Sequence, residues 1–355
     1  MGLFFNYKKY AEALPIVLPN IDPDDYRRLS KNQILGAIKL YLINNMKIVH
    51  DCAEIVNKTE NIETFLNRYD LLLKVLYNIT IVAKCPVNYL SGDLQKDYDR
   101  IIERRSATEK SALDRYINKE KASVESLATE KRKAQKLSQL YEKLTMLAPN
   151  FTLENQEYIK SMASEISEAV ISAILKSFDL DTWFYSTFDK DEIEIILETC
   201  PYFTNEITAF NFNSSALLLA YCIQCFTSEP NYSICRKFAN KIDDILNIKK
   251  PKAESLHFIY MFLISFFYKY REQDDCLDKA IEYCNKQIAI AKRAKKALGD
   301  VEHPGYKQLA IIEKKIKNWS RVIELCNQAK QEGWAGDWDK RIAEAEKSLA
   351  KKIDA

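Results

Sequence analysis

Apolar residues recur three and four positions apart along most of the chain, which is the spacing that buries one face of a helix. The first such segment begins after Ser30, and the second begins at Thr59 or Asn61 and ends before Pro86. Prolines divide residues 1–30, which are expected to be irregular. The two periodic segments therefore predict an N-terminal helical hairpin.

A long charged segment follows the hairpin. Residues 93–147 contain neither glycine nor proline and are rich in the strong helix formers Lys, Glu, Ala, Arg and Leu. Between Arg100 and Lys136 there are 11 basic and 6 acidic residues. The apolar residues here form only a thin seam, made of Ile102, Leu113, Tyr116, Ile117, Val124 and Leu127. This profile predicts a long exposed helix or irregular coiled coil, which would pair within the chain or join two copies as a homodimer.

The composition changes near residue 180. Beyond it the periodic segments are shorter, aromatic residues and cysteines are more frequent, and turn signals recur, for example at Lys250-Pro251. We therefore expect three parts: an irregular segment over 1–30, a helical domain over 31–180 and an α-helical, repeat-like domain over 181–355.

The scarcity of glycine decides the fold class. The chain has seven glycines, and none lies between Gly92 and Gly299. Glycine supplies the positive φ angles of many turns and the close approach of phosphate-binding loops, whereas it weakens helices. An all-α protein is therefore predicted. A glycine-rich nucleotide-binding loop is excluded, and no cofactor is expected.

Net charge, hydropathy and cysteine content limit the partners and the cellular compartment that we expect for the protein. A formal net charge of +2 gives no overall attraction to nucleic acid or to membranes. The apolar run over 255–270 is short for a bilayer span, so it predicts a buried helix and no membrane partner. Nine cysteines, an odd number, and a start that lacks secretory features favour a reducing cytoplasm.

Two segments near the end of the chain match each other. Residues 276–288 and 319–330 align with an offset of 42 residues, and an aromatic or apolar helix precedes each. The later copy resembles a tetratricopeptide repeat, in which the aromatic and small-residue positions are filled by Tyr306, Leu309, Ala310, Trp319 and Ala329. The sequence departs from that pattern at Glu313, Val322, Cys326 and Trp334.

The resemblance implies helical hairpins over 255–330 and a capping helix over 337–352 that covers the last apolar face. It also implies a non-enzymatic scaffold or adaptor whose groove binds another protein. Twenty Tyr and sixteen Phe fit such a role, because aromatic residues are enriched in interfaces. The residues expected to contact the partner are Tyr306, Lys307, Lys314, Asn318 and Asn327.

A second resemblance lies in the N-terminal hairpin. One helix end and the next helix start are similar to a module of uncharacterised proteins from Gram-positive bacteria and their phages. The residues that carry this similarity are Val56, Asn57, Thr59, Phe65, Arg68, Tyr69 and Asp70. It implies a bacterial or phage origin, without an activity.

An alternative function uses the basic long helix. The chain would then be a phage or mobile-element protein, acting in defence or counter-defence, that binds nucleic acid or a nucleic-acid enzyme. The residues expected to make this contact are Arg104, Arg105, Lys131, Arg132 and Lys133.

Residues of catalytic or metal-binding type occur, but their positions favour structural roles. Cys222-x-x-Cys225, with Cys200 and Cys235, lies within a helix, which predicts buried thiols in place of a zinc or redox site. His50, Asp51 and Cys52 are consecutive helix residues and point to different faces. The acids Asp189, Asp191, Glu192 and Glu194 have the positions expected at a helix start. We therefore predict no catalytic residue and no metal site.

Overall fold

Helices make up the regular structure. The computed structural model describes residues 7–85, 94–226, 231–299 and 301–353, and within these ranges no strand occurs. A single isolated bridge in the same ranges joins Glu302 to Ala335. The predicted all-α fold is confirmed. Within these ranges no helix is both long and apolar enough to cross a membrane.

The chain divides into two compact units. The first consists of Met1–Ala128 and Gln139–Ile166, and the second of Thr129–Ser138 and Ser167–Ala355. The boundary expected near residue 180 lies inside the second unit. That expectation followed a change in composition, whereas the observed division falls between the helices Arg105–Glu125 and Glu130–Leu147, within Glu130–Leu147 and within Leu153–Ser177.

The first unit is built from helices of very different lengths. They are α1 (Leu14–Val17), α2 (Lys31–Lys58), α3 (Ile62–Ala83), α4 (Leu94–Glu103) and α5 (Arg105–Glu125), with parts of α6 (Glu130–Leu147) and α7 (Leu153–Ser177). Short 3-10 helices occur at Tyr7–Tyr10, Pro23–Arg28 and Ala148–Asn150.

Side-chain caps determine where α2 and α3 begin. The Ser30 hydroxyl accepts from the Gln33 amide at 3.3 Å, and the Gln33 side chain accepts from the Ser30 amide at 2.8 Å. The Asn61 side chain accepts from the Thr64 amide at 2.9 Å. The two helices pack against each other, and Ile34, Ile38 and Ile79 are fully buried in their core.

The long helix expected over 93–147 is not continuous. Residue 93 lies outside the described residues, and the rest forms α4, α5 and α6, with breaks at Arg104 and between Glu125 and Glu130. Local side-chain hydrogen bonds favour the second break. The Ser126 hydroxyl donates to the Ser123 carbonyl at 2.7 Å, and the Thr129 hydroxyl accepts from the Arg132 amide at 3.3 Å.

Most of the apolar seam of this segment is buried, although Ile102 is 40% exposed. Leu113, Tyr116, Ile117 and Val124 are buried within the chain, where α5 contacts α3 and α4. Burial of these residues in one copy leaves little apolar surface for a coiled coil between copies. The apolar surface expected to join two copies is therefore reduced, and the homodimer stays a prediction.

The second unit consists of shorter helices. They are α8 (Asp181–Thr187), α9 (Lys190–Thr199), α10 (Glu206–Ala209), α11 (Ser215–Cys225), α12 (Tyr232–Ile248), α13 (Ala253–Lys269), α14 (Cys276–Ala289), α15 (Ala291–Leu298), α16 (Pro304–Lys315), α17 (Trp319–Gln331) and α18 (Trp338–Ile353).

Helices α11 to α18 pack mainly with their neighbours in sequence. Helix α11 packs on α12, α13 on α14, and α16 on α17, while α17 also packs on α18. The first helices of these pairs touch one another as well, since α13 contacts both α11 and α16. We call this arrangement the helix-pair array.

A buried glutamine fixes the spacing inside the array. The Gln287 side chain on α14 donates to the His257 carbonyl on α13 at 2.7 Å and accepts from the Gly305 amide on α16 at 2.6 Å. A Cβ at position 305 would stand 2.7 Å from the Gln287 oxygen and 3.0 Å from the Cys284 carbonyl. Glycine is therefore needed there to let α16 approach α14.

Candidate functional site

The five residues expected to contact a protein partner do not form one surface. Lys307 pairs with Glu302 at 2.9 Å, and Lys314 pairs with Glu344 on α18 at 2.8 Å. The Asn318 side chain donates to Glu313 at 2.7 Å. These contacts tie neighbouring elements together, and among the five only Asn327 is exposed without a hydrogen bond or ion pair within the described ranges.

Tyr306 is not a surface residue, so its expected role in partner binding is wrong. Its side chain is fully buried, and its hydroxyl donates to the Glu332 carboxylate at 3.0 Å. Burial raises the pKa of Tyr306, and the nearby carboxylate raises it further. The ring fills the space between α16 and the end of α17, which is a structural role.

A different row of side chains remains partly exposed on the first helices of the array. Leu217 and Tyr221 lie one turn apart on α11, Phe258 and Met261 on α13, and Ile311 and Lys315 on α16. We call these six residues the first-helix row. The Lys315 ammonium lies 5.3 Å from the Tyr268 ring of α13, and Tyr221 lies 4.8 Å from Phe262 between ring centres.

The residues expected to bind nucleic acid are divided between the two units. Arg104 and Arg105 belong to the first unit, and Lys131, Arg132 and Lys133 to the second. Lys133 pairs with Glu130 at 2.8 Å, whereas the Lys131 ammonium lies 5.0 Å from the centre of the Phe210 ring. Because α4, α5 and α6 are separate helices, the prediction of a continuous basic stripe along one helix is wrong.

Arg105 has a structural partner in a buried network. Its Nε lies 2.8 Å from the carboxylate of Glu109, a residue only 1% exposed. The same carboxylate accepts from the Thr152 amide at 2.8 Å and from the Asn155 side chain at 3.0 Å. Glu109 therefore joins the start of α5 to the start of α7, and Arg105 supplies its counter-charge.

A pocket of about 790 Å³ opens in the second unit, with Lys131 in its wall. The wall combines the end of α7, the start of α11, the last turns of α12 and the loop that leads to α13. Its volume is within the range of pockets that hold small molecules. We call it the lysine pocket, because five lysines line it: Lys131, Lys241, Lys249, Lys250 and Lys252.

The charge of the lysine pocket is poorly balanced. Asp179 is the only carboxylate among its lining residues. Lys241 lies over the Trp183 ring at 5.5 Å, and in the described part of the chain none of the five lysines has an ion pair. The lysines therefore leave an electropositive opening that neighbouring acids do not neutralise.

Three of the five lysines are close in sequence, in the segment Lys249-Lys250-Pro251-Lys252. From the sequence alone this segment indicated only a turn. The pocket brings together α6, the end of α7, the segment after α10, the start of α11, the end of α12 and the loop before α13, and their meeting depends on the tertiary fold. No family model, curated protein or solved structure matches the chain. A proposed function therefore rests on the geometry of the residues.

The cysteines that resembled a metal site lie close together but are protected. The Cys200 thiol is 3.7 Å from the Cys222 carbonyl, and Cys222 and Cys235 are also buried. Burial raises the pKa of Cys235 to about 12, and the pKa of Cys222 is also raised by burial. The thiols stay protonated at neutral pH, which disfavours nucleophilic and metal-binding roles. Within the described residues, no cluster of three His, Cys, Asp or Glu side chains could hold a metal ion.

The remaining candidates from the sequence have local explanations. The Asp189 side chain accepts from the Glu192 amide at 2.9 Å and so caps α9. Glu192 in turn pairs with Lys237 at 2.6 Å. Cys52 is buried, whereas the side chain of His50 is exposed, so these two side chains point apart.

Two histidines and a tryptophan form a buried cluster in the array. His257 stacks on Trp334 with ring centres 5.5 Å apart, and His303 lies 4.6 Å from Trp334 and 5.3 Å from His257. His303 caps α16, since its Nδ1 accepts from the Tyr306 amide at 3.2 Å. His257 Nδ1 and His303 Nε2 have no hydrogen-bond partner in the described residues. Burial lowers the pKa of His257 to about 4 and that of His303 to about 3.

Proposed function

We propose that the helix-pair array binds a segment of another protein and that the chain is a non-enzymatic scaffold or adaptor. The observation that carries the proposal is the first-helix row, which presents Leu217, Phe258, Met261 and Ile311 partly exposed on three adjacent helices. Partly exposed apolar and aromatic side chains on neighbouring helices suit the apolar face of a partner.

The arrangement of titratable groups supports binding over catalysis. The buried histidines are neutral at pH 7 because burial lowers the pKa of each. The buried thiols are protonated because burial raises the pKa of Cys284 to about 12 and that of Cys326 to about 11. A nucleophile or general base requires the opposite shift or access to a substrate.

The contact residues of this proposal differ from those expected from the sequence. Lys307 and Lys314 already have carboxylate partners, and Tyr306 is buried. The partner would instead contact Met261 and Ile311, with the exposed Lys315 at one edge of the row. Methionine suits such a surface, because its flexible side chain adapts to different partners.

Site-directed photo-cross-linking tests this proposal. A photoreactive residue at Met261 or Ile311 should capture a specific protein, and the same residue at Leu277 should not. Leu277 is the control because it is 38% exposed on α14, the second helix of its pair. The captured protein should then bind the purified chain, and Met261→Glu with Ile311→Glu should weaken that binding at least about tenfold. Equal capture from all three positions, or unchanged binding by the Glu variants, would contradict the proposal.

A further inference from the structure

The lysine pocket combines positive charge with a firm apolar wall. Phe178 and Phe210 stack with ring centres 6.1 Å apart and an angle of 20° between the rings. Phe212 is held edge-on against Tyr202, with ring centres 5.1 Å apart. These contacts fix the aromatic side of the pocket, while Lys249, Lys250 and Lys252 are exposed at its opening.

Polar contacts hold the loop between these rings in place. The Ser215 hydroxyl donates to the Phe178 carbonyl at 2.7 Å, which joins the start of α11 to the end of α7. The Asn213 side chain donates to the Ser255 hydroxyl on α13 at 3.2 Å. The wall is therefore set before a ligand binds, which lowers the entropy cost of binding.

Helix dipoles do not decide the charge of the pocket. The N-terminal ends of α11 and α13 are near it, but so are the C-terminal ends of α7 and α12. Their partial charges are opposite and largely offset each other. The five lysines against one aspartate set the sign, so the pocket favours an anion with more than one negative charge.

We propose that the lysine pocket binds a nucleoside phosphate, with its phosphates at the lysines and its base against the phenylalanine wall. A sugar phosphate or inorganic phosphate would use the lysines and leave the apolar wall without a partner. A peptide made of Asp and Glu alone would lack a planar ring for that wall. A nucleoside phosphate matches both parts, either as a free nucleotide or as the phosphorylated end of a nucleic acid strand.

Fluorescence titration of the full chain tests this assignment. The probes are a fluorescent ATP analogue and a labelled single-stranded oligonucleotide with a 5′-phosphate. We expect saturable binding of one or both, with an affinity that falls as salt rises. Lys249→Glu, Lys250→Glu and Lys252→Glu together should weaken binding about tenfold or more. All three side chains are exposed and unpaired in the described structure, so the variant should fold.

The matched control reverses three exposed basic residues of α15, Lys292, Arg293 and Lys296. It changes the net charge by the same amount and should leave binding unchanged within about twofold. An equal loss in this variant would overturn the proposal, because the binding would then be non-specific attraction. Absence of binding to both probes at low salt would also overturn it.

Competition separates a nucleoside phosphate from other anions. Unlabelled ATP should compete at least about tenfold better than inorganic triphosphate, and Phe210→Leu should remove most of that difference. Equal competition by triphosphate or by a poly-glutamate peptide would overturn the assignment. Tighter binding of the oligonucleotide than of ATP, with the same sensitivity to the lysine variants, would identify the strand end as the source of the phosphate. These results do not depend on the first-helix row, so this proposal and the scaffold role can fail separately.

Discussion

Acidification should destabilise the second unit through its two buried histidines. At pH 7 His257 and His303 are neutral in the folded state, because burial lowers the pKa of His257 to about 4 and of His303 to about 3. In the unfolded chain both would titrate near a pKa of about 6.5. Between these values the unfolded state binds more protons than the folded state, so stability falls as the pH decreases from 7.

The size of the effect follows from the two pKa values of each group. Between pH 7 and pH 5 each histidine should lower the free energy of unfolding by about 2 kcal/mol, or about 4 kcal/mol together. Carboxylates with a lowered pKa, such as Asp275 and Asp337, contribute at lower pH, where they become protonated. Two charged groups contact the cluster through Trp334: Glu332 accepts from Trp334 Nε1 at 3.2 Å, and the Lys295 ammonium lies 5.0 Å from the centre of the Trp334 ring.

Denaturant unfolding at pH 7, 6 and 5 provides the measurement. Tryptophan fluorescence reports on the second unit alone, because all the tryptophans lie there: Trp183, Trp319, Trp334 and Trp338. The comparison variant combines His257→Phe, which keeps a ring against Trp334, with His303→Asn, whose side chain can still cap α16. The variant should lose the pH dependence in this range whatever its stability at pH 7.

Parallel pH dependence in the wild type and the double variant would show that the two histidines do not cause the loss of stability. Histidine proton resonances give an independent check, because they follow the ionisation of each imidazole in the folded protein. Both buried imidazoles should remain neutral at pH 5. A native pKa near 6.5 for either would mean that water or a carboxylate reaches the ring.

Two further predictions concern close packing and the buried carboxylate. Gly305→Ala should lower the free energy of unfolding by about 2 kcal/mol, because its Cβ would stand 2.7 Å from Gln287 Oε1. Gly36→Ala, where a Cβ meets nothing within 4 Å, should raise stability by about 1 kcal/mol. Because Gly36, Glu109 and Glu157 lie in the first unit, which has no tryptophan, unfolding of their variants is followed by far-UV circular dichroism. Glu109→Ala should cost about 3 kcal/mol by leaving its buried donors unpaired, whereas Ala at exposed Glu157 should change little. Equal effects within either pair would contradict the structural explanation.

The fold class could be predicted from the sequence, but the course of the charged segment could not. Few glycines and helical periodicity were enough for an all-α protein, and Asn61 was a correct N-cap. The break between α5 and α6 lies among strong helix formers. It depends on hydroxyl contacts of Ser126 and Thr129, which are weak local signals. The tetratricopeptide resemblance and the phage-like module stay predictions.

The candidate sites were harder to predict because they are assembled from distant segments. Lys131 was selected for a basic stripe, yet it lies beside Phe210 in a pocket completed by Lys249 and Lys252. Spacing along one helix cannot reveal such a meeting of separate elements. The opposite error occurred at Tyr306, where an aromatic residue of the repeat pattern was expected at the surface and is buried.

Two tyrosines of the array join one helix pair to another. Tyr283 on α14 is completely buried, and its hydroxyl donates to Asp243 on α12 at 2.6 Å. Tyr232, the first residue of α12, donates to Asp274 before α14 at 2.7 Å. Both bonds join the α11/α12 pair to the α13/α14 pair, and a phenylalanine would provide the apolar ring without the bond. These two tyrosines therefore have structural roles, so the evidence for partner binding comes from the partly exposed first-helix row and not from the tyrosine count.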